Sequence, residues 1–287
     1  MLFGPVTMAT ETLYIVATPI GNLNDITLRA IEVLKQVDVI AAEDTRHSKK
    51  LLDHYGIDTR LMSVHDHNEE AKIESIKGLL SDGQSVALIS DAGTPLISDP
   101  GFRLVRQLRA DGFQVVAIPG PCAAIAALSV AGLPTDRFLF EGFLPAKQQA
   151  RRAQLELLAN ESATLVFYES PKRIEACLQD VVAVLGADRW VSVAKEITKA
   201  FETVKTAPAS EVLAWLQEAD AHRRGEFVLL LAGRPAEAAA VIDANVMRAV
   251  ELARDQMPLK KACALVSEIT GVAKNALYSA ALELNQE

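Results

Sequence analysis

Short apolar runs alternate with longer amphipathic stretches through the first half of the chain. Residues 13–17, 37–42, 61–65, 86–89 and 114–118 are strand-sized and rich in Val, Ile, Leu and Ala. Between them, residues 26–36, 47–55, 69–80 and 102–109 carry apolar positions at helical spacing. In the first of these Ile26, Ala30, Val33 and Leu34 share a face, and Asp25 is placed to cap it. Strands that alternate with helices of this length predict βαβ units and a mostly parallel sheet. Pro121 then opens a helix of small residues over 122–131, which Gly132 ends. Residues 138–145 are rich in aromatics, Gly and Pro, and the domain boundary is placed there.

The second half has a different pattern. Helices are expected over 147–158, 174–185 and 210–219, and strands over 164–168, 190–194, 201–206 and 226–232. From about Ala236 the chain is Ala-rich and helical by pattern. There a helix, a short turn at Gly271 and a second helix form a helix-turn-helix-like unit. The expected organisation is an extension over 1–12, α/β domains over 13–135 and 136–235, and a helical tail over 236–287.

Composition narrows the class. The chain has 287 residues, 50% of them hydrophobic, which suffices for two sizeable cores. No run reaches the ~20 apolar residues of a membrane span, and no leader pattern is present, so a cytoplasmic protein away from membranes is expected. The three cysteines, Cys122, Cys177 and Cys263, are far apart, which favours reduced thiols over a disulfide framework or zinc site. The net charge of −8 opposes nonspecific nucleic-acid binding but allows a local basic patch.

Three loops carry the candidate chemistry. The densest is Ser90-Asp-Ala-Gly-Thr-Pro-Leu-Ile-Ser-Asp-Pro-Gly101, between an apolar strand and a helix. Thr18-Pro-Ile-Gly-Asn22 and Pro119-Gly-Pro-Cys-Ala123 follow two other strands in the same way. Ligands of open α/β sheets bind at the carboxyl ends of strands, and small residues there let backbone approach a ligand closely. Taken together, the loops point to a binding site.

These loops, with Ala42-Glu-Asp-Thr-Arg46, Phe167-Tyr-Glu-Ser170 and Lys195-Glu196, resemble the tetrapyrrole methylase superfamily. Ser90-Asp91-Ala92 stands where the corrin and sirohaem branches usually carry Gly-Asp-Pro. The resemblance is with the branch that methylates a cytidine 2′-hydroxyl in the decoding region of 16S RNA in the small ribosomal subunit. It implies two α/β domains, a homodimer, and S-adenosylmethionine in the cleft between the domains, with S-adenosylhomocysteine as product. The cofactor contacts it implies are Pro19, Asp91, Leu96, Ile97, Cys122, Ala123, Tyr168, Glu169 and Ala232.

A ribose hydroxyl is a weak nucleophile, so a base or polarising cation is sought. Lys195 and Glu196 at a strand end, and Asp44 in the 43–46 corner, are the candidates, with a solvated salt-bridge cluster as the competing reading. His65 and His67 share one side of a strand, but no third ligand cluster accompanies them, so no metal is expected and a polar RNA-binding loop is preferred. Arg46, Lys147, Arg151 and Arg152 complete the candidate RNA contacts. The groups His222 to Arg224 and Lys260 with Lys261 are also basic, and each basic group can equally be a solubilising face. Charge in the tail is nearly balanced. A small-molecule tetrapyrrole methylase would not need residues 236–287. A DNA-binding regulator would need more charge than Lys274 gives the last helix, so no DNA partner is expected. A dinucleotide oxidoreductase would need a Gly-x-Gly-x-x-Gly turn that the first strand lacks.

Overall fold

The computed structural model describes residues 9–64, 69–99, 101–234 and 242–283. They form two compact units, one through Ala232 and one from Gly233.

The first unit begins with β1 (Thr12–Val16), α1 (Leu28–Gln36), β2 (Val39–Ala42), α2 (Thr45–His54), β3 (Arg60–Ser63), α3 (Glu69–Ser81), β4 (Val86–Ile89), α4 (Phe102–Ala110) and β5 (Gln114–Ile118). The five strands make one parallel sheet in the order β3-β2-β4-β1-β5. Every residue of β2 and β4 is buried, as parallel strands covered on both faces require. One face packs under α1 and α2 through Val33, Leu34, Leu51 and Leu52. The other packs under α3 and α4 through Ile76, Leu80, Leu104 and Leu108.

The unit continues with α5 (Ala123–Val130), β6 (Phe138–Phe143), α6 (Gln148–Leu157), β7 (Thr164–Glu169), α7 (Ile174–Leu185), β8 (Trp190–Lys195), β9 (Thr203–Pro208), α8 (Ala209–Glu218) and β10 (Phe227–Leu231). Its sheet runs β6-β7-β10-β8-β9, with only the β6–β7 pair parallel. Helices α6, α7 and α8 cover one face through Leu155, Cys177, Leu178, Val212 and Leu216. The other face is covered by α5, whose Ala124, Ala127 and Leu128 meet Val166, Ala194, Val228 and Leu230. The small residues of α5 let it follow the first sheet in sequence yet lie close on the second.

Three local features differ from the sequence reading. Asp25 does not cap α1: it ends a single 3-10 turn, and Thr27, in extended backbone, accepts the Ala30 N–H at 3.1 Å. Pro121 precedes α5, which starts after Cys122. Residues 138–143 are a strand, hidden in the sequence by Gly142, whose φ of +67° accommodates a break in register between Phe140 and Gly142.

The second unit contains α9 (Ala244–Arg254), α10 (Leu259–Thr270) and α11 (Lys274–Glu283) around Val250, Cys263, Val266, Val272 and Leu277. Gly271, at φ +73°, ends α10 in the left-handed conformation and sets the turn into α11.

A buried ion cluster ties α6 to α7. Asp180 is fully buried, and its Oδ2 accepts Arg151 Nε at 2.7 Å, while Oδ1 accepts Arg152 Nε at 2.6 Å and Gln148 Nε2 at 3.0 Å. Burial works to raise its pKa, but bonds from Arg152, Arg151 and Gln148 outweigh it and hold the carboxyl below the usual range. The stabilisation is therefore complete above the carboxyl's unfolded pKa and is lost as pH falls through the lower folded value. Asp180→Ala strands Arg151, only 4% exposed, without its counterion. Urea unfolding should show a loss of about 3–5 kcal/mol, the cost of breaking a buried pair from one side.

Candidate functional site

The first sheet reverses its winding between β1 and β4: β1 leads towards one edge, β4 towards the other. Loops at such a switch point leave a crevice outside the strand ends. Here the loops are fastened together. Thr18 and Gly93 exchange backbone hydrogen bonds of 2.9 and 3.1 Å as an isolated antiparallel bridge. The Thr18 hydroxyl donates to Ser90 O at 3.2 Å, and the Thr94 hydroxyl donates to Pro121 O at 2.9 Å. The loops after β1, β4 and β5 thus form one wall.

Glycine is required where they meet. Gly93 has φ +84°, and a Cβ on Gly120 would lie 2.9 Å from Ala17 Cβ. Two larger residues of the central loop, Leu96 at φ +74° and Ser98 at φ +67°, also occupy the left-handed region. Such residues cost roughly 1–3 kcal/mol each and persist where the surroundings over-determine them. The bulge of β6 supplies one such surrounding, because a Cβ on Gly142 would come within 3.4 Å of Ser98 Oγ.

Between this wall and the ends of β7, β8 and β10 lies a cavity of about 370 Å³. Ile20, Ile97, Cys122 and Ala123 line it from the first-sheet side, and Phe143, Tyr168, Ala194 and Val228 from the second. Tyr168 packs edge-on against Phe140 and Phe143, with centroids 5.0 and 5.8 Å away. Burial, reinforced by Cys122, pushes its phenol pKa well up, so it remains a neutral hydroxyl. That oxygen accepts the Ala124 N–H at 3.3 Å.

Three acidic residues are among those that line the cavity. Glu169 accepts Ser170 N–H at 2.7 Å and Arg173 at 3.1 Å, while Glu226 pairs with Lys199 at 2.9 Å. Asp99 has no ion pair among the described residues. Burial lifts its pKa above the usual carboxylate range and the Asp91 charge adds to this, against a hydrogen bond to Ser90. Sequence reasoning passed over Asp99, although its Ser-Asp pair repeats Ser90-Asp91 in the same loop. Ile20 and Phe143 were passed over as well.

Of the expected cofactor contacts, Ile97, Cys122, Ala123, Tyr168 and Glu169 line the cavity, and Pro19, Asp91, Leu96 and Ala232 do not. The wall takes Ile20 in place of its neighbour Pro19. Asp91 Oδ1 instead accepts the Asp44 N–H at 3.1 Å, linking two loops. Leu96 turns towards Gly101 and the core under α4. Ala232 lies beyond the far end of β10, because that strand runs antiparallel to β7 and brings Phe227 to the cavity.

The expected proton acceptors are engaged elsewhere. Asp44 caps α2, accepting Arg46 N–H at 2.8 Å and His47 N–H at 3.4 Å, and these bonds lower its pKa. Strand alternation turns Ala194 to the cavity and puts Lys195 on the other face, with Val191 and Val193. Glu196 Oε1 accepts the Glu226 N–H at 2.9 Å and Lys199 Nζ at 3.0 Å. Burial works to raise its pKa, but these bonds prevail and hold it low.

Among the expected RNA contacts, Arg46 is 92% exposed and Lys147 is exposed at the start of α6. Arg151 is buried on Asp180, and the half-exposed Arg152 is bound to the same carboxylate. His65 and His67 lie outside the described residues. Among those described, no group of three His, Cys, Asp or Glu could hold a metal ion.

Comparison with known proteins gives the family and the fold. Residues 12–213 match the family model for Tetrapyrrole (Corrin/Porphyrin) Methylases, and residues 237–285 match the RsmI C-terminal HTH domain. A protein of Escherichia coli O157:H7 named Ribosomal RNA small subunit methyltransferase I is 56% identical over 94% of each chain. Its namesake in Pasteurella multocida is 53% identical over 96% of this chain and 98% of that one. Among solved structures, uroporphyrin-III-C-methyltransferase from Thermus thermophilus shares the fold, with a TM-score of 0.55 at 19% identity over 77% of this chain and 94% of that one.

The contact between Gly120 and Ala17 yields a direct test. Gly120→Ala should press on Ala17, displace the loop after β5 and lower stability by about 1–3 kcal/mol in urea unfolding, the cost of overpacking. Unchanged stability would show that the close approach leaves room for a methyl group.

Proposed function

The chain belongs to the tetrapyrrole (corrin/porphyrin) methylase family and, within it, to the ribosomal small-subunit RNA methyltransferases, and we propose that it methylates the 2′-hydroxyl of a cytidine in 16S rRNA from S-adenosylmethionine. The observation that carries the cofactor reading is the cavity at the switch point, walled by three fastened loops and holding Asp99 free of any ion pair among the described residues. The relatives' names supply the RNA of the small subunit.

The residues present fit that cofactor. Its volume is that of a small-molecule site, with apolar walls and few polar groups. Ile20, Ile97, Ala123 and Val228 would enclose the apolar parts, Asp99 would face positive charge, and the Tyr168 hydroxyl would meet a polar edge. When bound, S-adenosylmethionine supplies a methyl group on a sulfonium, already a good electrophile. The chain's task is then to hold the acceptor oxygen in line and keep water out, and orientation of that kind accounts for much of a transfer rate. The strained 90–99 loop suits it, since its backbone is fastened at Thr18 and Pro121.

The same reading has the enzyme acting in the cytoplasm as a homodimer on the assembled subunit or its RNA. Among the described residues no helix is long and apolar enough to cross a membrane.

Purified protein, methyl-labelled S-adenosylmethionine and small subunits lacking the modification should place label in 2′-O-methylcytidine after digestion. Label in another nucleoside, or none, overturns the assignment. A second test concerns Asp99. A cationic ligand favours the ionised carboxylate, so affinity should hold above the Asp99 pKa and weaken as pH falls through it. Because that pKa is raised, the weakening should begin at a higher pH than for an ordinary carboxyl near 3.9. Asp99→Asn should bind the cofactor about tenfold less tightly and lose this pH dependence, as read by calorimetry.

A further inference from the structure

A second concavity lies back to back with the cavity. It is an open groove of about 570 Å³, lined by Asn22, Asn24, His54, Thr198, Lys199 and Ala200 among others. The segment after β8 is the shared wall: Ile197 lines the cavity, and the next three residues line the groove. That wall is fixed. Glu196 and Thr198 hold left-handed backbone at φ +53° and +68°, and a Cβ on Gly21 would lie 2.5 Å from Lys199 Cγ. The Tyr55 hydroxyl donates to Leu23 O at 2.6 Å, pinning the end of α2 to the groove.

Helix α2 brings charge to this place. Arg46, Lys50 and His54 recur every four residues and share one exposed face. The stripe starts beside the loop that Asp91 holds and ends in the groove wall at His54. Its rise is about 12 Å, long enough to follow about three stacked nucleotides at ~3.4 Å each. Lys49 is paired with Asp53 at 3.2 Å and Arg46 lies 3.6 Å from Asp44, while Lys50 has no ion pair among the described residues. The acids around the groove are occupied. Glu196 and Glu226 bind Lys199, and Glu202 accepts the Thr198 N–H at 2.6 Å. Immediately beyond the lining residue Ala200, Phe201 is 75% exposed.

We propose that this groove, with the α2 stripe and Phe201, takes a single-stranded RNA segment flanking the nucleotide presented to the cavity. The cations would follow phosphates, Asn22 and Asn24 offer amides to base edges, and Phe201 gives a face on which a base stacks. The inference rests on the RNA reading of the cavity, so its test measures binding separately from methyl transfer. Full-length wild type, Phe201→Ala and Lys50→Ala are compared for binding to unmodified small subunits across a salt series with S-adenosylhomocysteine present. The subunit methylation assay is run in parallel.

Phe201→Ala should weaken subunit binding about fivefold or more, the lower end of one lost base stack. Lys50→Ala should weaken it and reduce the slope of log affinity against log salt by about one. Both should bind cofactor within about twofold of wild type, which shows that the fold is intact. Two variants that bind subunits like wild type, with an unaltered salt slope, overturn the groove. Weakened binding alongside a wild type that transfers no methyl group keeps the groove and removes the methylation reading.

Discussion

Two backbone hydrogen bonds between Thr18 and Gly93 hold the rest of the site in place. They join the ends of adjacent strands where the sheet reverses direction, so neither loop can move without the other. The left-handed Leu96 and Ser98 follow in the same loop, and their strain is tolerated because the loop is fastened at Thr18, at Pro121 and, through Asp91, at Asp44. The second sheet completes the restraint from outside, with the bulge at Gly142 set against Ser98. A cavity built from backbone in this way depends less on which side chains line it than on which residues have no Cβ.

Charge is divided between structure and surface in a way that totals conceal. The chain is acidic overall, yet it places Arg151 and Arg152 on one buried aspartate and Arg223 on Glu175 and Asp220. Those cations spend their charge on acids that hold helices in place. Helix α2 does the opposite, exposing Arg46, Lys49 and Lys50 against a single acid of its own, Asp53. The positions of paired and unpaired cations, more than their number, decide where a phosphate backbone can rest.

Much of the fold was legible because its signals are local. Periodicity located β1, β4, β5 and α7 to within a residue or so, and the loops after the first-half strands could be read from their Gly, Pro and Asp. What stayed hidden depends on contacts distant in sequence. Nothing near Arg151 reveals that Asp180 lies beneath it, and nothing near Ala232 reveals that β10 runs antiparallel and turns that end away. Phe138 to Phe143 escaped notice because a glycine bulge breaks the alternation of a strand. Lys195 and Glu196 looked like a pair poised for chemistry, but β8 ends at Lys195 and the backbone turns left-handed at Glu196, whose carboxylate is taken by Lys199 and the Glu226 N–H. Asp99 and the Arg46, Lys50, His54 spacing were in view; only the cavity and the groove give them meaning.

The strand order bears on how the chain is made. β4 is inserted between β1 and β2, which never pair with each other. As the protein emerges from the ribosome, β1, β2 and β3 therefore cannot close into a sheet of their own, whatever their apolar content. The central position stays vacant until Val86 to Ile89 has been synthesised, and only then can Leu13 meet Val86 and Val39 meet the same residue from the other side. Domains generally fold as units during synthesis. For this one, the β2-β4-β1 centre of the first sheet cannot form until almost a third of the chain is out, and the strand that fills it also carries a loop that lines the crevice.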